Sequence, residues 1–87
     1  MGLYQVRLLD AAYQELAKLD KPVAQRIAKR LNWLAENFDL IKPLPLTGNL
    51  AGFYKLRVGD YRIIYEALHD EDVLLIHLIG HRREVYR

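Results

Sequence analysis

The stretch Phe53 to Tyr65, FYKLRVGDYRIIY, decides the fold. Gly59-Asp60 stands between two runs rich in Tyr, Leu, Val and Ile, the signature of a hairpin with a two-residue turn. A turn of that length fixes the register. It sets Val58 against Tyr61, Arg57 against Arg62, Leu56 against Ile63, Lys55 against Ile64 and Tyr54 against Tyr65. Side chains alternate between faces, so Tyr54, Leu56, Val58, Tyr61, Ile63 and Tyr65 make one apolar surface. The reverse face carries Lys55, Arg57 and Arg62, with Phe53 and Ile64 at its margin. Like charges directly opposite on a strand pair repel, so folding alone does not ask for Arg57 against Arg62. A bound anion would explain the pair. Side chains splayed into water, or neutralised by Glu66 and Asp60, would explain it too.

Outward from the hairpin, Leu3 to Leu9 reads as a strand with Tyr4, Val6 and Leu8 on one face. Asp10 is a candidate N-cap for a helix over Ala11 to Leu19, whose stripe is Ala12, Leu16 and Leu19. Asp20-Lys21-Pro22 breaks that helix and opens a second, reaching about Phe38, with Val23, Ile27, Leu31, Leu34 and Phe38 on one face. Together they read as an antiparallel helical hairpin. Arg26, Lys29 and Arg30 fall off the stripe and read first as a solvated face. Asp39 to Gly52 is a long connector kept non-helical by Pro43 and Pro45. After a turn at His69 to Asp72, the apolar run Val73 to Ile79 reads as a central strand. An unbroken register places Ile64 against His77 and Arg62 against Ile79.

The chain of 87 residues fits one domain, 1–87. Hydrophobic content of 52% with 28% charge fits a globular protein. No cysteine is present, which excludes thiolate chemistry and a disulfide framework and suits the cytoplasm. No apolar run approaches the roughly 18 residues of a membrane span, so no membrane partner is expected. The net charge of +2 is too small to imply nucleic acid by itself. Any basic site is made by segregating charge between faces. Zinc spacing, a phosphate-cradling glycine loop and a Ser-His-Asp order are all missing, so no cofactor or metal is expected.

Two segments, LTGNLAGFYKLRVGDYRIIYE and LIGHRREVYR, together resemble the RelE/ParE superfamily of bacterial and archaeal toxins, along nearly the whole chain. The resemblance implies an α+β fold in the order β-α-α-β-β-β, an antiparallel sheet with the helical hairpin packed on one face. It also implies a type II toxin–antitoxin pair, with a cognate RelB-like antitoxin and operator DNA reached only through it. RelE-like members cut mRNA, many in the ribosomal A site. ParE-like members poison DNA gyrase and lack the cleavage residues. Matched position by position, the cleavage cluster looks like Lys55, Arg57, Arg62, Arg82 and Tyr86, all present, which favours the RelE side. One departure is Phe53, where the best-known ribosome-dependent type carries the first of two alternating lysines. Lys55, His77 and His81 are then the groups left to act as base.

These residues suit metal-free RNA cleavage. The 2′-hydroxyl attacks its own 3′-phosphate, leaving a 2′,3′-cyclic phosphate and a free 5′-hydroxyl. Arg57 and Arg62 would bind phosphate, since guanidinium matches phosphate oxygens bidentately. Lys55 is the candidate base, helped by neighbouring cations. Arg82 would clamp the phosphorane, and Tyr86 would stack on a base or simply pack. Straight alternation past Ile79 puts His81 and Arg83 on the open face as RNA contacts, whereas the resemblance selects Arg82; a bend at Gly80 would reconcile the two. His69 reads as a turn residue and His77 as a sheet residue on the basic face. The competing readings are a gyrase-binding toxin without catalysis, and a regulatory homologue that only binds its antitoxin.

Overall fold

In the computed structural model of the chain, residues 3–81 are described. The elements run β1 (Gln5–Leu8), α1 (Asp10–Lys18), α2 (Lys21–Asn37), β2 (Leu44–Pro45), β3 (Tyr54–Val58), β4 (Tyr61–Leu68) and β5 (Val73–His81). Single 3₁₀ turns occupy Phe38–Leu40 and Gly48–Leu50. One five-stranded sheet has the order β1-β5-β4-β3-β2.

The hairpin register is the one the turn length dictates: Tyr54 pairs Tyr65, Leu56 pairs Ile63, Arg57 pairs Arg62 and Val58 pairs Tyr61. Gly59 takes φ +59 at the first central position, while Asp60 stays out of the positive-φ region, the pattern of a II′ turn. A Cβ on Gly59 would meet only the Arg26 side chain, at 3.8 Å. The glycine is therefore required by its backbone angle and not by crowding.

Three expectations are corrected. The sheet is mixed: β1 runs parallel to β5, with Val6 opposite Leu74 and Leu8 opposite Ile76. No hairpin constrains this pair, because both helices and three strands intervene, and a crossover of that length permits parallel pairing. The connector also contributes β2, where Leu44 pairs Lys55 and Pro45 pairs Tyr54 at the sheet's edge. A proline there removes a donor that an edge strand can spare. Asp10, expected as a cap, is instead the first residue of α1, and Leu9 caps without a side-chain bond. The Leu9 N–H donates to the Ile76 carbonyl at 3.0 Å, which holds residue 9 on the sheet until the helix begins. Asp10 then sits where a carboxylate meets the positive end of the helix dipole.

Both helices cover one face of the sheet. Ala12 is fully buried, and Leu16 and Leu19 pack against the core. In α2, Ile27, Leu31 and Leu34 are buried, and Phe38 follows them at the helix end. Phe38 organises the aromatic part of the core, with its ring 5.0 Å from Tyr4 and 6.2 Å from both Tyr54 and Tyr65. Burial pushes the Tyr65 phenol well above its usual range, with Tyr54 adding to the effect. No described helix is long and apolar enough to cross a membrane.

Gly59→Ala should lower stability by about 1–2 kcal/mol, since an L side chain is forced into a left-handed angle. Urea unfolding followed by circular dichroism measures it; an unchanged midpoint would show that the turn does not hold the register.

Candidate functional site

The face away from the helices is built in rows across the strands. One row places Leu44, Lys55, Ile64 and Leu78 side by side. The next places Arg57, Arg62 and Gly80 together. The predicted opposition of Arg57 and Arg62 is thus real. Arg57 is exposed, whereas Arg62 is only 4% exposed. The Arg62 guanidinium turns back over the hairpin, where Nη1 donates to the carbonyls of Gly59 at 3.4 Å and Tyr61 at 3.3 Å. These are long bonds to neutral acceptors that hold the group over the turn. A glycine opposite Arg62 contributes no side chain of its own to the space above it.

β5 departs from the unbroken register. Tyr65 pairs Ile76, but Ile64 pairs Leu78, so His77 is an extra residue, a β-bulge. Arg62 therefore faces Gly80 and not Ile79, and Ile64 faces Leu78 and not His77. The bulge also reverses the parity of everything after it. Ile79 joins the core opposite Ile63. His81, expected on the open face, pairs Tyr61 on the helix-covered face, with ring centroids 5.5 Å apart. Gly80 takes the open-face position beside Arg62.

His77 stays on the open face. Its Nε2 lies 3.0 Å from Glu66 Oε1, and its ring meets Phe53 edge-on at 4.8 Å between centroids. His69, read as a turn residue, has a structural partner the sequence did not reveal: its Nδ1 lies 2.8 Å from the Tyr4 hydroxyl. Among the described residues no group of three His, Asp or Glu side chains converges as metal ligands. Arg82, Arg83 and Tyr86 lie outside the described residues.

A second cationic region flanks the first. On α2, the Arg30 guanidinium sits 4.5 Å from the Trp33 ring centroid, a cation–π contact. Arg26 and Lys29 are exposed on the same helix, as their place off the apolar stripe requires.

Comparison with known proteins gives this architecture a lineage. Residues 6–86 match the family model described as ParE toxin of type II toxin–antitoxin system, parDE. A RelE-like toxin protein of Escherichia coli is 28% identical over 81 residues, covering 91% of this chain and 83% of that protein. The RelBE2 toxin–antitoxin complex of Mycobacterium tuberculosis contains a chain that superposes with a TM-score of 0.82 at 27% identity, covering 93% of this chain and all of that one. The archaeal RelE–RelB complex of Pyrococcus horikoshii gives 0.69 at 30% identity, over 93% of this chain and 97% of that one. The chain belongs to the RelE/ParE superfamily, the toxins of type II toxin–antitoxin systems.

Because Arg57 and Arg62 repel across the strand pair, Arg57→Thr should raise stability by about 0.2–1 kcal/mol. A shift of the urea midpoint to higher concentration measures it. A loss of stability would mean that Arg57 has a structural role and no anion is needed to explain it.

Proposed function

We propose that the chain is a metal-independent endoribonuclease that cuts mRNA in the ribosomal A site and is held inactive by a cognate RelB-like antitoxin. The observation that carries this reading is the exposed Arg57 beside the anchored Arg62, with Lys55 one row away on the same open face. Three cations on one side of a hairpin match a phosphodiester whose charge grows as the 2′-oxygen attacks. Preorganised positive groups at such a centre are often the largest single contribution to catalysis. Arg62 is 4% exposed at its turn, so it meets the phosphorane by swinging out from the Gly59 and Tyr61 carbonyls. Arg57 reaches from solvent and binds the same phosphate. Lys55 adds a third charge.

In this reading Arg82 clamps the phosphorane and Tyr86 stacks on a base. His81 lies across the sheet from the cluster and takes no part. The named structural relatives are toxin–antitoxin complexes, which supports an antitoxin partner here. One observation favours a second reading, a toxin that inhibits DNA gyrase without catalysis: the matching family model is that of ParE. The crowded cations on the open face weigh against it, because a protein-binding toxin has no need to hold Arg57 against Arg62.

The test is purified protein added to translating ribosomes, with RNA ends mapped. Cut mRNA bearing 2′,3′-cyclic phosphate ends is expected, and Arg57→Ala combined with Arg62→Ala should abolish it. Intact mRNA together with stalled gyrase would overturn the nuclease reading.

A further inference from the structure

Cleavage by a 2′-hydroxyl needs a group that accepts its proton, and imidazole is the side chain that changes charge between about pH 5 and 8. The chain has three histidines. His69 is tied to the Tyr4 hydroxyl at 2.8 Å. His81 is on the helix-covered face against Tyr61. Only His77 shares the open face with Lys55, Arg57 and Arg62.

The setting of His77 is specific. It is the extra residue of the β5 bulge, and bulges re-aim side chains beside functional sites. Its backbone is in β5, yet its ring touches Glu66 on β4 and Phe53 at the start of the β3 line. β5 and β3 flank β4, and the His77 and Phe53 rings meet over the strand between them. Phe53 is two residues from Lys55, about 7 Å along the strand. The Glu66 carboxylate at Nε2 fixes the ring and, by accepting that N–H, leaves Nδ1 with its lone pair. Nδ1 makes no hydrogen bond among the described residues. The two side chains are 29% and 37% exposed, a depth that lets substrate reach them. A surface pair of this kind adds about 0–1 kcal/mol of stability, little reason by itself to interrupt the central ladder.

We propose that His77 is the general base of the ribonuclease and Glu66 the positioning residue that orients it. The inference rests on the ribonuclease reading above. Nδ1 takes the proton of the 2′-hydroxyl as the 2′-oxygen bonds to phosphorus. The P–O5′ bond breaks, the 5′-oxygen leaves with a proton from solvent, and the imidazolium returns its proton to water. Lys55 stays an ammonium and serves charge. The charged groups on the strands around the ring are Glu66 from β4, Lys55 from β3 and Arg7 from β1, the last opposite Leu75.

The experiment is single-turnover cleavage of mRNA on programmed ribosomes across pH, with wild type, His77→Gln, Glu66→Gln and Glu66→Ala. Wild type should speed up as pH rises through an acid limb, because only neutral imidazole accepts the proton. His77→Gln should be slower by about 10²–10⁴-fold and lose that limb. Glu66→Ala removes the partner that orients the ring and should slow cleavage at every pH, and Glu66→Gln, which keeps an acceptor for the Nε2 N–H, should restore part of the rate. A wild-type rate in Glu66→Ala, or a wild-type rate and limb in His77→Gln, overturns the inference while the nuclease reading stands. A wild-type protein that cuts no mRNA overturns both. Far-UV circular dichroism of His77→Gln checks its fold, and the two Glu66 variants decide the matter if that variant unfolds.

Discussion

The backbone angle of Gly59 governs which side of the sheet each charge in β3 and β4 occupies. A two-residue turn admits one register, and with period-two alternation that register sends six apolar side chains to the helices and three cations to the other face. A slip of one residue would bury Lys55 and Arg57 under α2 and expose Leu56 and Ile63. The core and the cationic surface are thus two consequences of one turn. The helices enforce the choice, since Ile27, Leu31, Leu34 and Phe38 need an apolar sheet face to cover.

The second constraint is the bulge at His77. It converts a strand that would alternate uniformly into two halves of opposite parity. Before it, Leu74 and Ile76 fill the core; after it, Ile79 does, and Gly80 moves beside Arg62. The same device removes His81 from the basic face and leaves His77 on it. A single inserted residue therefore decides which end-of-strand positions belong to the site.

Much of this was legible in the sequence because local rules determine it. The hairpin register follows from turn length, and the helix stripes follow from the 3.6-residue period of Ala12, Leu16 and Leu19 and of Ile27, Leu31 and Leu34. The Arg57–Arg62 opposition followed with no structural input. The bulge did not show because Val73 to Ile79 is almost wholly apolar, and a run without alternation carries no mark of where parity slips. The Tyr4–His69 bond joins residues 65 apart in the chain, beyond any local signal. The parallel pairing of β1 with β5 is set by packing at the far edge of the sheet. The curl of Arg62 over its own turn depends on a rotamer, and sequence gives only the face.

The most direct test of the central claim, that the open sheet face is the RNA site, is an NMR titration of the free toxin with a 2′-O-methyl RNA oligonucleotide, in which the attacking hydroxyl is blocked. Amide shifts should move at Lys55, Arg57, Arg62, His77 and Gly80, and the effect should weaken steeply with salt as phosphate contacts are screened. Shifts confined to Arg26, Lys29 and Arg30 on α2, or none at all, would contradict the account.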